Sequence, residues 1–236
     1  MKSEMNEMLL EVIATNVKDA VDAEKFGANR IELVTGIKEG GLTPSYATIK
    51  HVVQNVSIPV HVMIRPHSRS FIYDSYDQEV ILNDIEICKE IGATGIVFGA
   101  LTEEKAIDEE LLKKVSARVK DMNFTFHRAI DESNDILNAI NILKKYPEIT
   151  HVLTSGGAPS AIDGKETIKK MAEFTNESNI KILAGSGLSI ENVSDFINFT
   201  NVEEIHFGSG VRKNNSAIEV IDSSLMERLL MEIKER

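Results

Sequence analysis

The sequence predicts an α/β fold: a single (β/α)8 TIM barrel, a parallel eight-stranded sheet closed on itself, over residues 1–236. Three observations carry this. Eight short runs of β-branched or apolar residues recur with starts about 20 to 40 residues apart, the spacing of strand, loop, helix and loop. The runs are nearly continuous in apolar character rather than alternating, as strands covered on both faces require. The length of 236 residues is close to the roughly 250 usual for one such barrel.

The elements follow in order. The first run is Leu9–Ala14, and Val17–Phe26 then sets Ala20, Val21 and Phe26 near helical spacing, with Gly27 as a stop. After the second run, Arg30–Val34, Thr43-Pro44 reads as an N-cap followed by proline at the first helical position. The third run, Ile58–Ile64, precedes Val80–Ile91, where Ile81, Ile85, Cys88 and Ile91 form one stripe closed by Gly92. Gly95–Ala100 is fourth, and Asp108 then precedes Leu111, Leu112, Val115 and Val119. After the fifth, Asn123–Arg128, Ser133 or Asn134 opens a helix holding Ile136, Leu137, Ile140 and Leu143, with Pro147 beyond. The sixth and seventh are Thr150–Thr154 and Ile180–Ala184; Ser189 then caps a short helix with Val193, Phe196 and Ile197. Glu203–Gly208 is eighth, and Ser216–Ile233 is a long amphipathic closing helix. A doubly wound open sheet is the alternative, but such sheets more often have five or six strands. No Pro-, Gly- or Ser-rich linker divides the chain, so one domain is expected.

Composition narrows the partners. With 42% hydrophobic residues the chain can bury a sizeable core, and its 27% charged residues are the usual share for a globular protein. A formal net charge of -11 repels phosphate backbones and anionic lipid, which argues against nucleic acid or membrane surfaces as partners. No apolar run approaches the roughly 20 residues of a spanning helix. The opening stretch Met1–Met8 carries Glu4 and Glu7 and lacks the apolar segment of a signal peptide. A single cysteine, Cys88, excludes an internal disulfide framework. Together these predict a cytoplasmic protein whose partner is small.

In barrels of this kind the active site lies at the C-terminal ends of the strands. Those ends offer Glu11 and Glu32 from the first two runs. The third reads His61-Val62-Met63-Ile64-Arg65, so His61, Met63 and Arg65 share one face. The fifth reaches His127, Arg128 and Asp131; the sixth ends in Ser155 and Gly156. The seventh ends Gly185-Ser186-Gly187, and the eighth contains His206 and ends Gly208-Ser209-Gly210, with Arg212 beyond. Two Gly-Ser-Gly loops after consecutive strands suit an anion, because glycine lets backbone N–H groups surround it and phosphate sites in this fold often use the loops after strands seven and eight. Tight strand-to-helix turns need glycine in any case, which is the competing account. Arg212 is a further candidate for a charge-assisted bond to such an anion.

For catalysis the candidates are Glu32, Arg65, His127, Arg128 and Asp131: an arginine to stabilise negative charge, and His127 partnered by Glu32 or Asp131 to move a proton. Glu11, His61 and His206 join the glycine loops as candidate ligand-binding groups. Against this stands a structural account in which Glu11 and Glu32 pair with Arg65 or Arg128 as barrel interior. Met63 reads as packing and Cys88 as an inert helix thiol. No Cys, Met or His pair has compact metal-ligand spacing, so the sequence assigns no metal ligands and leaves any cofactor unknown. The Met-rich end, Leu225-Met226 to Leu229-Leu230-Met231, offers a face for a homodimer or simply the closing helix of the barrel.

Several stretches resemble the copper homeostasis protein CutC family: Arg30-Ile31-Glu32-Leu33, Glu39-Gly40-Gly41-Leu42-Thr43-Pro44-Ser45, Ile64-Arg65-Pro66, Thr125-Phe126-His127-Arg128-Ala129 and Leu153-Thr154-Ser155-Gly156. They fall in order between about Leu9 and Gly210, so the resemblance spans nearly the whole chain. It implies a (β/α)8 barrel, a cytoplasmic location and copper homeostasis, with a copper ion as an implied ligand and no assigned reaction. The chain departs from the family pattern where relatives carry cysteine: Val34 follows Arg-Ile-Glu-Leu, and Val12, Ile13 and Ala14 follow the first glutamate. Ser68-Arg69-Ser70-Phe71 replaces the Gly-Gly-Asp-Phe that follows Arg-Pro in relatives. Copper(I) prefers thiolate and thioether ligands. The residues therefore leave two expectations: a CutC-like copper-binding protein, or a barrel enzyme acting on a small phosphorylated or carboxylated metabolite.

Overall fold

Parallel strands buried on both faces satisfy their backbone only through neighbours, and closure removes the last open edge. The computed structural model describes residues 8–234 and realises this closure: eight parallel strands in the order β1-β2-β3-β4-β5-β6-β7-β8, with β1 paired to β8. The strands are β1 (Leu9–Ala14), β2 (Arg30–Leu33), β3 (Val60–Met63), β4 (Gly95–Phe98), β5 (Asn123–Phe126), β6 (Ile149–Thr154), β7 (Lys181–Gly185) and β8 (Glu204–Phe207). Each lies within a residue or two of its expected run or inside it. The opening residues 1–7, with Glu4 and Glu7, lie outside the described residues.

The helices are α1 (Val17–Lys25), α2 (Tyr46–Asn55), α3 (Ser75–Ile91), α4 (Glu109–Ser116), α5 (Ile136–Leu143), α6 (Lys165–Thr175), α7 (Val193–Thr200) and α8 (Ser223–Lys234). Several starts differ from expectation, at α2, α3 and α5 because a better-placed side chain caps the first amides. Ser45, not Thr43, caps α2 by accepting from the Thr48 amide. The Thr43 hydroxyl instead accepts from the Arg65 amide, tying the β2–α2 loop to the end of β3. Asp74 caps α3, which therefore starts a turn before the apolar stripe at Val80. Asp135 caps α5 in place of Ser133 or Asn134. Ser189 lies ahead of α7, where its amide donates to Asn192, the residue that precedes the helix. The closing helix starts at Ser223 rather than Ser216. Residues 216–222 form no helix; Ile221 bridges antiparallel to Arg212, and Asp222 accepts from the Ser224 and Leu225 amides. Among the described residues no helix is long and apolar enough to cross a membrane.

Two layers of packing result. Outward side chains such as Leu10, Val12, Ile31, Val62, Phe98, Phe124, Val152 and Phe207 are buried under the helices and form the main apolar core. From the closing helix, Met226 and Leu229 are fully buried in this core, whereas Met231 is exposed. Inward side chains are mostly polar and still buried: Glu11, Arg30, Glu32, His61, Thr125, His151, Glu204 and His206. Val34, Met63 and Val97 form a small separate apolar cluster. Space for imidazoles is made on the β4 side, where a Cβ on Gly95 would stand 2.4 Å from the His61 ring and one on Gly99 2.6 Å from His127 Nδ1.

Candidate functional site

The charged interior is anchored at its lower end by Arg30. Arg30 donates through Nε to Glu11 at 2.5 Å and through Nη2 to Glu204 at 2.8 Å, and its Nη1 lies 3.1 Å from His151 Nε2. Glu204 also meets His151 at 3.3 Å, and the Thr150 hydroxyl holds the other nitrogen of that ring at 2.7 Å. Every charge here has a partner. Arg30, His151 and Glu204 escaped the sequence reading, although each lies two residues before an inward-facing residue on its own strand: Glu32, Leu153 and His206. That period-two relation was the available signal.

Glu11 links this cluster to the level above, since its second oxygen meets His206 Nδ1 at 2.7 Å. Although burial pushes the Glu11 carboxyl upward, the Arg30 guanidinium and His206 outweigh it and hold the group far below the usual carboxylate range. His206 Nε2 lies 3.7 Å from Glu32 Oε2. Glu32 Oε1 is buried and has no hydrogen-bond partner. Burial, reinforced by the Glu11 charge and opposed by His206, pushes Glu32 up to about 7. Burial opposes charge on His206 too, but Glu32 and Glu11 raise it above its ordinary value. The structural pairing expected for Glu11 thus exists, but with Arg30 rather than Arg65 or Arg128.

Above Glu32 a cavity of about 300 Å³ opens at the C-terminal mouth of the barrel. Glu32 and His206 are in its lining, together with the apolar side chains of Ile13, Val34, Met63 and Leu153. One wall is Arg65, buried, with its guanidinium 4.7 Å over the Phe71 ring. Its Nη1 donates to the carbonyls of Glu39 and Gly41, while Nε is buried without an acceptor. Phe71 was visible in the sequence only as part of an altered loop; here it lies between Arg65 and His127, its ring tilted 55° to the imidazole at 4.9 Å between centroids.

His127 Nδ1 accepts from the Ala129 amide, so the neutral ring carries its proton on Nε2, which is buried without a partner. Burial, with the nearby Arg65 charge, pushes His127 down to about 3. The expected pairing of His127 with Asp131 does not form. Asp131 is committed to Arg128, to the hydroxyls of Thr154 and Ser155, and to the Ser155 and Gly157 amides. It clamps the β5 and β6 ends together behind the mouth. Ser155 is fully buried within this clamp, and the Gly156 amide donates to Thr154, so neither belongs to the cavity lining. Arg128 does line it, half-exposed, held by Asp131 and Ser155.

Across the mouth stand the two Gly-Ser-Gly loops. Ser186, Gly187, Gly208, Ser209 and Gly210 line the cavity, whereas Gly185 lies behind His206. Among the described residues the amides of Gly187, Leu188, Ser209 and Gly210 have no acceptor in the protein. Arg212 is not available to an anion: it is buried and committed to Asp19 and to the carbonyls of Ile13 and Glu219. His61 lies below the cavity with Nδ1 3.3 Å from the Thr125 hydroxyl, and burial and Arg30 push it down to about 3.

Among the described residues one group has three potential metal-ligand atoms within 4.8 Å of one another, Glu11, Glu32 and His206. Glu11 is already bonded through both oxygens, which leaves two donors, one carboxylate oxygen and one imidazole nitrogen. Cys88 is fully buried on the inner face of α3, and burial and Asp84 push its thiol up to about 12.

A profile of the CutC family matches residues 8–211 of this chain. The human copper homeostasis protein cutC homolog is 39% identical over 219 residues, covering 90% of this chain and 80% of the human one. The crystal structure of the copper homeostasis protein CutC from Streptococcus agalactiae superposes with a TM-score of 0.79 at 30% identity, covering 84% of this chain and 97% of that one. Phosphoribosyl anthranilate isomerase from Thermotoga maritima shares the fold at a TM-score of 0.64 and 14% identity, over 97% of this chain and 100% of that one.

Proposed function

The chain belongs to the CutC family of copper homeostasis proteins, and we propose that its mouth cavity binds a small carboxylated or phosphorylated metabolite and moves a proton on it. The observation that carries this reading is Arg65. A guanidinium buried without a carboxylate partner is costly unless a counter-charge arrives, and Arg65 lines the cavity with its Nε unpaired. Binding and stabilisation of developing negative charge fall to Arg65. Glu32 is the proton carrier, because it lines the cavity, its buried Oε1 has no partner in the protein, and its protonation lies near neutrality, where transfer in either direction is efficient. His206, held by Glu11, faces Glu32 from behind and stabilises its anionic form. His127 is neutral and offers Nε2–H to a substrate oxygen. Isomerisation, or bond chemistry next to a carbonyl, suits a proton carrier flanked by these donors. A cytoplasmic location belongs to the same reading.

The family name points to a copper ion as the occupant. The donors of this chain do not fit copper(I), which is best held by thiolate and thioether sulfur: the lone cysteine is sealed outside the barrel, and among the described residues Met63 is the one sulfur in the cavity lining. Copper would have to rely on Met63, His127 and His206. A thermal-shift titration of metal-free protein separates the two occupants, since a ligand of the folded state raises the midpoint once its concentration exceeds its Kd. Phosphate or phosphorylated metabolites should raise it and copper(I) should not. The bound metabolite should then exchange a carbon-bound proton with D2O in the wild type and not in Glu32→Gln. Saturable one-to-one stabilisation by copper(I) alone would overturn the reading.

A further inference from the structure

Resting on the anion-site reading above, we infer that the cavity is built for a two-ended anion: a small phosphorylated carboxylate, its carboxylate on Arg65 and its phosphate on the β7 and β8 loops. Three observations carry this. The first is the state of the Arg65 fork. Nη1 is taken by two carbonyls, whereas Nε is orphaned, which leaves the Nε–Nη2 edge without a carboxylate. That edge presents two parallel N–H groups, the geometry that matches the two oxygens of a carboxylate. The second is the opposite wall, where four amides, from Gly187, Leu188, Ser209 and Gly210, have no acceptor and all four residues line the cavity. Four free amides on two adjacent loops suit a tetrahedral anion with three free oxygens better than a planar one with two. The third is topology. In a closed eight-stranded barrel β3, which Arg65 follows by two residues, lies opposite β7, so the two subsites face each other across the mouth rather than sharing one anion.

The rest of the cavity fits a molecule strung between these ends. Its volume of about 300 Å³ is at the small end of the range for ligand sites. Met63, Leu153 and Ile13 supply apolar contact for a short carbon skeleton, and Glu32 lies beneath its middle. Among the described residues the one side-chain carboxylate in the lining is Glu32, and burial raises it toward neutrality, so repulsion of a doubly anionic guest is small.

The test is isothermal titration calorimetry at neutral pH with inorganic phosphate, acetate and 3-phosphoglycerate on wild type, Arg65→Met and Ser209→Asp. Joining two subsites in one ligand multiplies affinity, so 3-phosphoglycerate should bind wild type at least about 100-fold more tightly than phosphate. Arg65→Met should remove that advantage and leave phosphate binding within about threefold. Ser209→Asp places a carboxylate on the exposed rim of the phosphate subsite and should weaken both ligands at least tenfold. If Arg65→Met does not melt cooperatively, Arg65→Lys, which keeps the charge without the paired donors, takes its place with the same expected pattern in weaker form. Two results overturn the two-ended site while leaving an anion site intact: 3-phosphoglycerate binding no better than phosphate, or Arg65→Met losing phosphate as severely as Ser209→Asp does. Failure of wild type to bind any of the three overturns the underlying anion reading as well.

Discussion

Arg30 and Arg65 point into the same barrel from neighbouring strands, both buried, and their surroundings are opposite. Around Arg30, two carboxylates and an imidazole take up the guanidinium, and the atoms of Glu11, Glu204 and His151 facing it are all bonded. Around Arg65 there are backbone carbonyls, an aromatic face and the Tyr73 phenol, but no carboxylate, and unpaired atoms gather nearby: Arg65 Nε, Glu32 Oε1 and His127 Nε2. A folded protein rarely leaves buried polar atoms unpaired, because each costs about 1–3 kcal/mol. The lower interior is therefore structure, and the mouth is a place prepared for something else. Residue type does not distinguish the two regions; the pairing of their charged groups does, since the unpaired atom of the lower region, His61 Nε2, belongs to an imidazole that burial holds neutral.

The strongest way to break this comparison is to remove the two arginines separately. Arg30→Met leaves Glu11 and Glu204 buried without their cation and should cost about 3–5 kcal/mol in urea unfolding. Arg65→Met loses two bonds to carbonyls and no carboxylate partner, so it should cost only about 1–2 kcal/mol while removing the affinity advantage of 3-phosphoglycerate over phosphate. Equal losses of stability would show that Arg65 is a structural cation like Arg30.

A smaller effect is expected at the glycines that seat the two imidazoles. Gly95→Ala crowds His61 in the lower region, and Gly99→Ala crowds His127 at the mouth. Each should cost about 1–3 kcal/mol by overpacking. Only Gly99→Ala should also shift ligand affinity in the calorimetric assay. A comparable shift from Gly95→Ala would mean that the lower region takes part in binding.

The smallest expected effect is a pH dependence in which contributions from the mouth oppose one another. His127 is held at about 3, below the roughly 6.5 of an unfolded histidine, so between these values the unfolded chain binds the extra proton. Its contribution to stability is complete above pH 6.5 and falls as the pH drops. Glu32 is held at about 7, above its unfolded value, so its contribution is complete below about pH 4.3 and fades as the pH rises through 7. Between about pH 4.5 and 6.5 the two partly cancel. Glu32→Gln should therefore show a melting midpoint that rises more steeply with pH than that of wild type, by a few degrees. His127→Gln should show a midpoint that rises less steeply. Parallel curves for all three proteins would show that neither group titrates differently on folding.

The part of the site legible beforehand follows from strand parity. His61, Met63 and Arg65 were placed on one face because side chains alternate, and the barrel does turn that face inward. The Gly-Ser-Gly loops were legible from the position of strand ends in the fold, and they do line the cavity. Asp131 was misjudged because its nearness in sequence to His127 says nothing about the Thr154 and Ser155 groups that β6 brings against it. Arg212 was misjudged for a similar reason, since Asp19, its partner, comes from the far end of the chain.

By itself the sequence determined the eight strands, their order and the family, because hydrophobic runs, caps and motifs are local and each is written in a few consecutive residues. Tertiary structure alone decided which charges are partnered. Glu11 meets Arg30 and His206 across 19 and 195 positions of sequence, and whether Arg65 meets any carboxylate depends on every strand around the barrel. Pairing in a low-dielectric interior is set by closure of the sheet, which brings β8 beside β1 and fixes the register between them.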